Sequence, residues 1–284
     1  MKSKMAQTPK YYNRKRAVEK QLGREISNSE FENKYMTSGR GSSLTETGTS
    51  IFDPVLCETQ YLWFTKDGDS IIDPFAGGSV RGIVVVELGR HYIGIDLRQE
   101  QIDANNANAE ICKREKPVWH CGDSVHIKDI APGKYDFLFT CPPYGSLEKY
   151  SDDPKDISNM SDGDFDSAYV EILKNACDML KDDRFACVVV GNYRDKKGFL
   201  RDLVGLTVRA MEAAGCRYYN DFVFVTPNGS LPLRAGKTFQ ASRKMGRTHQ
   251  YCLCFVKGNP KKATERLGEV EIPDMEQFCT DDES

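Results

Sequence analysis

Four short segments of the chain combine acids, glycines and prolines in patterns that could bind a ligand or hold a reacting group. They are Asp73-Pro-Phe-Ala-Gly-Gly-Ser79, Asp96, Cys121-Gly-Asp123 and Cys141-Pro-Pro-Tyr144. Adjacent glycines let a ligand approach the backbone closely, and carboxylates accept hydrogen bonds from hydroxyl and amino groups. Proline fixes the backbone φ angle and makes a turn rigid. The segments therefore predict a ligand pocket next to a stiff turn.

Each segment lies at the end of an apolar run typical of a β-strand, and helical patterns separate the runs. This alternation predicts an α/β fold with a doubly wound, mostly parallel sheet that ends in a C-terminal antiparallel hairpin. Ligands of such sheets bind beyond the carboxyl ends of the strands, so we expect the four segments to share one edge. The predicted strands are Ser70–Phe75, His91–Leu97, Pro117–Cys121, Tyr135–Thr140, Arg184–Gly191, Tyr218–Val225 and Gln250–Val256, and the predicted helices are Ser79–Gly89, Arg98–Lys113, Asp164–Leu180 and Phe199–Gly215.

The first two segments predict a pocket for a nucleoside. Asp96 follows Gly78 by 18 residues, which is close to the ~20-residue gap at which an acid meets ribose hydroxyls. Asp123 could accept a hydrogen bond from an adenine amino group. Either acid could instead cap a helix. The chain lacks GxGxxG and a P-loop lysine at this point, which disfavours NAD and ATP.

Composition limits the classes of protein that fit. The 284 residues are 39% hydrophobic and 29% charged, which suits a folded domain with a sizeable core. No apolar run approaches the ~18 residues of a membrane helix, and the basic N-terminus lacks a signal core, so we expect no membrane partner and no secretion. The ten cysteines form no CxxC pair and there are four histidines. We therefore expect no metal site, no disulfides and a reducing cytoplasm.

Charge is unevenly distributed although the net charge is only −3. Residues 1–40 carry ten Lys and Arg against four Glu, and residues 259–284 carry eight Asp and Glu against three Lys and Arg. We predict a basic arm and linker over residues 1–48, one α/β domain over residues 49–258 and an acidic, flexible tail over residues 259–284. The arm either contacts a phosphate backbone or is solvated.

Taken together, Asp73-Pro-Phe-Ala-Gly-Gly and Cys141-Pro-Pro-Tyr resemble the motifs of S-adenosylmethionine-dependent DNA methyltransferases that modify exocyclic amino groups, the N6-adenine and N4-cytosine enzymes. The resemblance covers roughly Ser50 to Gly258 and is closest in style to compact bacterial and bacteriophage enzymes. It implies a class I methyltransferase-like Rossmann fold with S-adenosylmethionine as cofactor. The cofactor residues that it implies are Phe52, Asp53, Asp73, Pro74, Phe75, Ala76, Gly77, Gly78, Asp96, Leu97, Gly122 and Asp123.

The same resemblance makes Cys141, Pro142, Pro143 and Tyr144 the catalytic residues. An exocyclic amino nitrogen is a poor nucleophile because its lone pair is delocalised into the ring. In the family, the side chain at the position of Cys141 and the carbonyl of Pro142 hold the amino hydrogens. Tyr144 would stack on the flipped base, returning about 1–3 kcal/mol against a flipping cost of a few kcal/mol.

Cys141 departs from the family pattern, which has Asp, Asn or Ser at this position. A thiol is only a weak acceptor. Serine, its nearest isostere, is common in the N4-cytosine branch, whereas prevalence favours adenine, so the target base stays open. A covalent role like that in C5-cytosine methyltransferases is disfavoured, since those enzymes place proline before the cysteine and here Thr140 precedes it.

The segment Asn228–Gln250 contains five cations and no acid. It joins the last two predicted strands and is longer than an ordinary hairpin loop. Residues 227–250 are therefore a candidate DNA-contacting loop, with a solvated loop as the alternative. The cations are Arg234, Lys237, Arg243, Lys244 and Arg247.

These observations predict a cytoplasmic DNA methyltransferase of a bacterium or phage-infected cell, acting on double-stranded DNA with the target base flipped out, as in restriction-modification systems. One alternative is an RNA or protein methyltransferase of the same fold. Another is a catalytically silent nucleic-acid-binding module, because Cys141 replaces a stronger acceptor. The recognition sequence and the oligomeric state are not predicted.

Overall fold

The computed structural model describes residues 52–145, 150–195, 197–226 and 231–270, together with Arg16, Glu19 and Arg24; for Pro232 and Arg234 it describes the backbone alone. Its strands are β1 (Ser70–Asp73), β2 (His91–Asp96), β3 (Val118–Cys121), β4 (Phe137–Thr140), β5 (Arg184–Val190), β6 (Tyr193–Arg194), β7 (Leu200–Arg201), β8 (Cys216–Val225) and β9 (His249–Lys257). Seven of them form one sheet in the order β3-β2-β1-β4-β5-β9-β8. β1 to β5 pair in parallel, and β9 lies antiparallel to both β5 and β8. The predicted sheet and its antiparallel last pair are confirmed.

Helices cover both faces of this sheet because successive strand residues point to opposite sides. Ile71 belongs to the core under one helical layer and Ile72 to the core under the other. The helices are α1 (Pro54–Phe64), α2 (Val80–Glu87), α3 (Gln99–Asn108), α4 (Ile127–Ile130), α5 (Asp162–Met179), α6 (Leu203–Ala213), α7 (Leu231–Ser242) and α8 (Pro260–Leu267). The core that contains Ile71 includes residues of α1, α2, α3 and α8, and the core that contains Ile72 includes residues of α4, α5 and α6.

Local signals in the sequence explain where the main helices begin. Asp53 caps α1 by accepting hydrogen bonds from the backbone N–H groups of Val55 and Leu56, and Pro54 occupies the first turn. Ser161 caps α5 in the same way. These caps fix the helix entries, so the loops between strand ends and helices have defined positions.

Two segments differ from the predicted elements. Residues 231–242, predicted as part of a loop, form α7, because Ala235, Lys237, Gln240 and Ala241 favour helix more strongly than the single Gly236 opposes it. The helix predicted over Phe199–Gly215 begins only at Leu203, where Asp202 caps it. The preceding residues of β7 instead pair with β6 to form a short hairpin.

The C-terminal part and one cysteine pair also differ from expectation. The segment predicted as a flexible tail from residue 259 begins with α8, capped by Asn259 and packed on β5 and β9; residues 271–284 lie outside the described part. Cys177 and Cys216 form a disulfide with a Cα–Cα distance of 6.7 Å. The prediction of no disulfide was wrong because the pair is 39 residues apart in sequence and meets only in the fold, where α5 packs on α6 and α6 packs on β8. No helix among the described residues is long and apolar enough to span a bilayer.

Candidate active site

The carboxyl ends of β1, β2, β3 and β4 lie side by side and are joined by direct hydrogen bonds. These bonds tie the loop after β1 to β2, the loop after β3 to β2, the loop after β3 to the loop after β1, and the end of β4 to the end of β1. The four predicted segments therefore converge on one edge of the sheet. The bonds are Ala76 N to Ile95 O (3.0 Å), Gly122 N to Asp96 O (2.9 Å), Ser124 Oγ to Pro74 O (2.5 Å) and Thr140 Oγ1 to Asp73 Oδ1 (2.6 Å).

Asp73 is the centre of this arrangement and is fully buried. Its Oδ1 accepts hydrogen bonds from Phe75 N at 3.1 Å and Thr140 Oγ1 at 2.6 Å. Its Oδ2 accepts from Arg81 Nε at 2.7 Å and the Tyr92 hydroxyl at 2.8 Å. A carboxylate offers about four acceptor sites, and all of them are used. Asp73 thus organises the loop and has no acceptor site left for the ligand contact predicted for it.

Arg81 balances this buried carboxylate. Its guanidinium also donates to the carbonyls of Phe75 (2.6 Å) and Ala76 (2.9 Å), and it lies over the Phe52 ring at 4.7 Å. Burial disfavours the charged form, but the charge of Asp73 outweighs it and raises the pKa of Arg81 above its ordinary value. The cation therefore stays charged and holds the backbone of the loop in one conformation.

The two glycines of the loop face open space. No atom lies within 4 Å of the position that a Cβ would take at Gly77 or Gly78. Gly77 has φ +51°, which disfavours other residues, and its carbonyl accepts a hydrogen bond from Asn105 Nδ2 at 2.7 Å. The loop is thus anchored on its protein side and open on its outer side, as a ligand cradle requires.

Asp96 and Asp123 keep acceptor capacity for a ligand. Asp96 accepts one bond on each oxygen, from Gly77 N at 3.1 Å and Arg98 N at 2.9 Å, and burial raises the pKa of this carboxyl. Asp123 Oδ1 accepts from Val125 N at 3.0 Å and caps the short 3₁₀ turn that follows, as the alternative reading of Asp123 predicted. Because each carboxylate has about four acceptor sites, both retain sites for hydroxyl or amino donors.

The remaining predicted cofactor residues fall into two groups. Pro74 and Ala76 are buried and contribute only their backbone. Phe75 stacks on Tyr169, with ring centroids 6.0 Å apart, so its side chain supports the loop from the core. The other group is partly exposed at the same edge and consists of Phe52, Asp53, Leu97 and Gly122.

The Cys141–Tyr144 turn follows β4 directly, next to the loop of Asp73. Pro142 is buried, whereas Cys141, Pro143 and Tyr144 are partly buried. The Tyr144 hydroxyl accepts a hydrogen bond from the Gln250 side chain, and burial raises the pKa of Tyr144 above its ordinary value. Gln250 reaches this turn because β9 is antiparallel to β5, which places the start of β9 at the carboxyl edge. The ring of Tyr144 is therefore held in place by a residue of β9, which lies at the same edge two strands away from β4.

The predicted DNA-contacting cations lie on and after α7. Lys237, Arg243 and Arg247 are exposed, and Lys244 is partly buried. Arg243 caps the end of the helix, with Nη1 3.1 Å from Gln240 Oε1 and its guanidinium 5.2 Å from the Phe239 ring. Arg234 lies in α7, but its side chain is outside the described part. Two of the five cations, Arg234 and Lys237, thus lie in a helix, and the other three lie in the segment that follows it.

Sequence reasoning missed the residues that support this site. Arg81, Tyr92 and Thr140 all bind Asp73, and Gln250 binds Tyr144. One signal was available, since Arg81 is the only cation in the otherwise apolar helix Val80–Glu87. The partners of Tyr92, Thr140 and Gln250 are distant in sequence, and no local pattern identifies them.

The sheet order, the glycine loop after β1 and the antiparallel last strand define the class I methyltransferase fold. The solved structure of TrmN from Thermus thermophilus shares this fold with a TM-score of 0.51 and 15% sequence identity, covering 72% of this chain and 49% of that one.

The particular family follows from the sequence. The profile of the N6/N4 DNA methylase family matches residues 7–107 and 135–278, and the chain belongs to this family. Its match confirms the resemblance predicted from the two motifs.

Curated relatives match over shorter stretches. The tRNA (guanine(10)-N2)-dimethyltransferase of Pyrococcus abyssi is 32% identical over 83 residues, 29% of this chain and 25% of that protein. The type II methyltransferase M2.DpnII of Streptococcus pneumoniae is 47% identical over 47 residues, 16% of this chain and 18% of that protein. The chain thus spans about a quarter or less of the length of these relatives.

Proposed function

We propose that the protein transfers the methyl group of S-adenosylmethionine to an exocyclic amino nitrogen of a base in DNA, N6 of adenine or N4 of cytosine. The observation that carries this proposal is the convergence of the Asp73 loop and the Cys141 turn at one sheet edge, in a chain that belongs to the DNA methylase family. The acceptor is double-stranded DNA with the target base flipped out, and the protein acts in the cytoplasm.

The residues around the Asp73 loop fit S-adenosylmethionine. The open outer face of Gly77 and Gly78 leaves room for the methionine part. Asp96 accepts the ribose hydroxyls, and Asp123 accepts the adenine amino group. When bound, the cofactor supplies an electrophilic methyl group. Phe52 and Asp53 close the pocket from the start of α1.

The turn after β4 prepares the amino group for attack. Cys141 Sγ and the Pro142 carbonyl hold the amino hydrogens, which localises the nitrogen lone pair. The amino nitrogen would take the methyl group from the sulfonium sulfur, whose bond to the methyl carbon would break to leave a thioether, and the proton that the nitrogen then loses would pass to solvent. Tyr144 stacks on the flipped base and returns about 1–3 kcal/mol of the cost of unstacking. Its hydrogen bond to Gln250 keeps the ring in position.

The cations of α7 and the segment after it provide phosphate contacts. If Arg234, Lys237, Arg243, Lys244 and Arg247 each neutralise one phosphate, the logarithm of the DNA affinity falls with the logarithm of salt concentration with a slope of about −4.5. The measured slope would therefore count the phosphates that the protein neutralises.

The test is methyl transfer from isotope-labelled S-adenosylmethionine to unmethylated duplex DNA, followed by mass analysis of the nucleosides. We expect labelled N6-methyladenine or N4-methylcytosine, a rate reduced at least tenfold by Tyr144→Ala, and retained activity in Cys141→Ser. The exposed variant Lys261→Ala serves as a control and should match the parent. Absence of both modified bases at all salt concentrations would refute the proposal.

Two other functions are outcomes of the same experiment. The match to a tRNA dimethyltransferase makes RNA a second candidate acceptor, which label in RNA but not in DNA would establish. Cys141 in place of a stronger acceptor supports a silent binding module. DNA binding without label in any acceptor, for the parent and for Cys141→Ser, would establish that function.

A further inference from the structure

The β6–β7 hairpin projects beyond the carboxyl end of β5 and is closed by a tight set of hydrogen bonds. Asp195 N donates to Phe199 O at 2.9 Å, and Phe199 N donates to Asp195 Oδ1 at 2.8 Å. Gly198 has φ +91°, and its carbonyl accepts from Arg194 Nη1 at 3.0 Å. These bonds join the described residues on the two sides of the tip, Arg194 and Asp195 on one and Gly198 and Phe199 on the other.

The base of the hairpin is fixed to the rest of the domain. Arg201 Nη2 donates to Asp166 Oδ1 at 2.6 Å, and Arg201 Nη1 lies 3.3 Å from Asp162 Oδ2. Asn192 Oδ1 accepts from Val204 N at 2.8 Å at the start of α6. The side chain of Phe199 is thus carried by a hairpin whose base is anchored, which reduces the entropy lost on binding.

The hairpin adjoins both the catalytic turn and the basic segment after α7. A Cβ at Gly145, the residue after Tyr144, would collide with the Tyr193 hydroxyl. A Cβ at Gly198 would collide with Lys244 Nζ. The hairpin therefore bridges the residue next to Tyr144 and one of the predicted DNA-binding cations.

The tip exposes an aromatic ring between cations. Phe199 is 71% exposed and Leu200 is 45% exposed, and Arg194 and Lys197 beside them are also exposed. The one acid of the tip segment, Asp195, is turned inward to bind Phe199 N. Exposed aromatic rings flanked by cations suit insertion into a polyanionic, stacked ligand.

We propose that the hairpin is a second DNA-contacting element that inserts Phe199 into the base stack of a duplex beside the flipped nucleotide. This inference rests on the proposed function. Phe199 is hydrogen-bonded to Asp195 on the opposite side of the hairpin. Asp195 follows Tyr193 by two residues, which is roughly 7 Å along the strand. Arg194, Lys197 and Lys244 contact the phosphates on either side.

The test compares binding to a fluorescein-labelled duplex with binding to one of its strands alone, for the parent, Phe199→Ala and Ile111→Ala. Ile111 is 72% exposed and lies after α3, away from the hairpin, so it controls for loss of an exposed apolar side chain. We expect Phe199→Ala to weaken duplex binding about tenfold, in the range of one lost stacking contact, with single-strand binding nearly unchanged. Phe199→Trp should restore duplex binding. Equal losses on both ligands, or no loss, would overturn the proposal.

A salt titration adds an independent readout. Lys197→Ala should reduce the slope of log affinity against log salt on duplex DNA by about 0.9, and an unchanged slope would count against the phosphate contact.

The proposed function and the proposed insertion of Phe199 can fail separately. If the parent binds duplex through Phe199 but modifies no base, the proposed function fails alone. If Phe199→Ala binds and methylates duplex DNA as the parent does, only the proposed insertion of Phe199 is refuted.

Discussion

At the amino edge of the sheet, aspartates are surrounded by cations, whereas at the carboxyl edge they bind mainly backbone N–H groups. Asp136 accepts hydrogen bonds from Lys181 Nζ (2.8 Å) and Arg184 Nε (3.0 Å). Arg266 of α8 binds Asp69 and lies 3.3 Å from Asp136. Asp136 and Asp69 at this edge are therefore both paired with cations of the protein.

At the carboxyl edge, Asp96 and Asp123 keep spare acceptor sites beside an open glycine loop. Asp96 has one cation near it, Arg98 Nε at 3.7 Å, and Asp123 has a backbone cap. Only Asp73 is fully paired there, and its role is to hold the loop. The difference teaches that an aspartate at a strand end signals a ligand site only when its acceptors are not already used by the protein.

The largest effect is expected from Asp73→Ala, which would break the carboxyl edge. It leaves the buried Arg81 guanidinium without a carboxylate, so we expect a loss of about 3–5 kcal/mol in the free energy of unfolding. Urea denaturation measures it. Asp53→Ala, which removes only a helix cap, should cost about 1 kcal/mol. Equal losses in the two variants would contradict the conclusion that Asp73 holds the loop after β1 together with Arg81, Tyr92 and Thr140.

Asp136→Ala tests the amino edge and should cost about 2 kcal/mol in stability with methyl transfer per folded molecule unchanged. Burial disfavours its charged form, but the bonds from Lys181, Ser70 and Arg184 hold the pKa of Asp136 well below its ordinary value. Its contribution is therefore present above the unfolded pKa of about 3.9 and is lost as pH falls through the lower folded value. Unfolding measured from neutral to acid pH should show that the variant loses less stability than the parent. A steeper acid loss in the variant would contradict this assignment.

Asp96→Asn should show the opposite linkage. Because burial raises the pKa of Asp96, its carboxylate opposes folding as pH rises through the folded value, and the variant should lose less stability over that range. Its binding of S-adenosylmethionine should weaken about tenfold, as calorimetry would measure. Asp103→Asn, on the exposed side of α3, should bind like the parent. Normal affinity in Asp96→Asn would remove Asp96 from the cofactor site.

Gln250→Leu is expected to have the smallest effect. Loss of about 1 kcal/mol from one hydrogen bond should raise the KM for DNA about fivefold, because the Tyr144 ring is less well placed. The affinity for S-adenosylmethionine should not change, which separates positioning of Tyr144 from general destabilisation. Gln250→Glu, which can accept from the Tyr144 hydroxyl, should recover most of the loss. A variant whose KM for DNA equals that of the parent would show that Tyr144 needs no such support.

Much of the sheet could be predicted from sequence because its strands are short apolar runs bounded by local signals. The run Tyr135–Thr140 before Cys141 and the run Ser70–Phe75 through Asp73 both place chemistry at a strand end without knowledge of the fold. The family then followed from two motifs. Sequence could therefore identify those residues whose role depends on neighbours within their own segment.

What could not be predicted depends on contacts between distant segments. Asp73 looked like a ligand residue because nothing near it reveals Tyr92 or Thr140 as partners. The pairing of Cys177 with Cys216 depends on the packing of α5 on α6 and of α6 on β8. Only residues Phe199–Arg201 of the β6–β7 hairpin were predicted as the start of a helix, because the bond from Asp195 that closes the hairpin has no periodic signal in the sequence.

Asp73 joins the glycine loop after β1 to the end of β4. By contrast, the β6–β7 hairpin follows β5, and α7 lies between β8 and β9. If the protein acts on DNA as proposed, exchange of these outer elements would change the recognised sequence while the residues around Asp73 stay intact. Grafting residues 193–201 or 226–249 from a family member of different specificity should change the sites that are modified and preserve donor affinity. The elements proposed to set the recognised sequence are thus separate from those proposed to carry out methyl transfer, and the two can evolve independently.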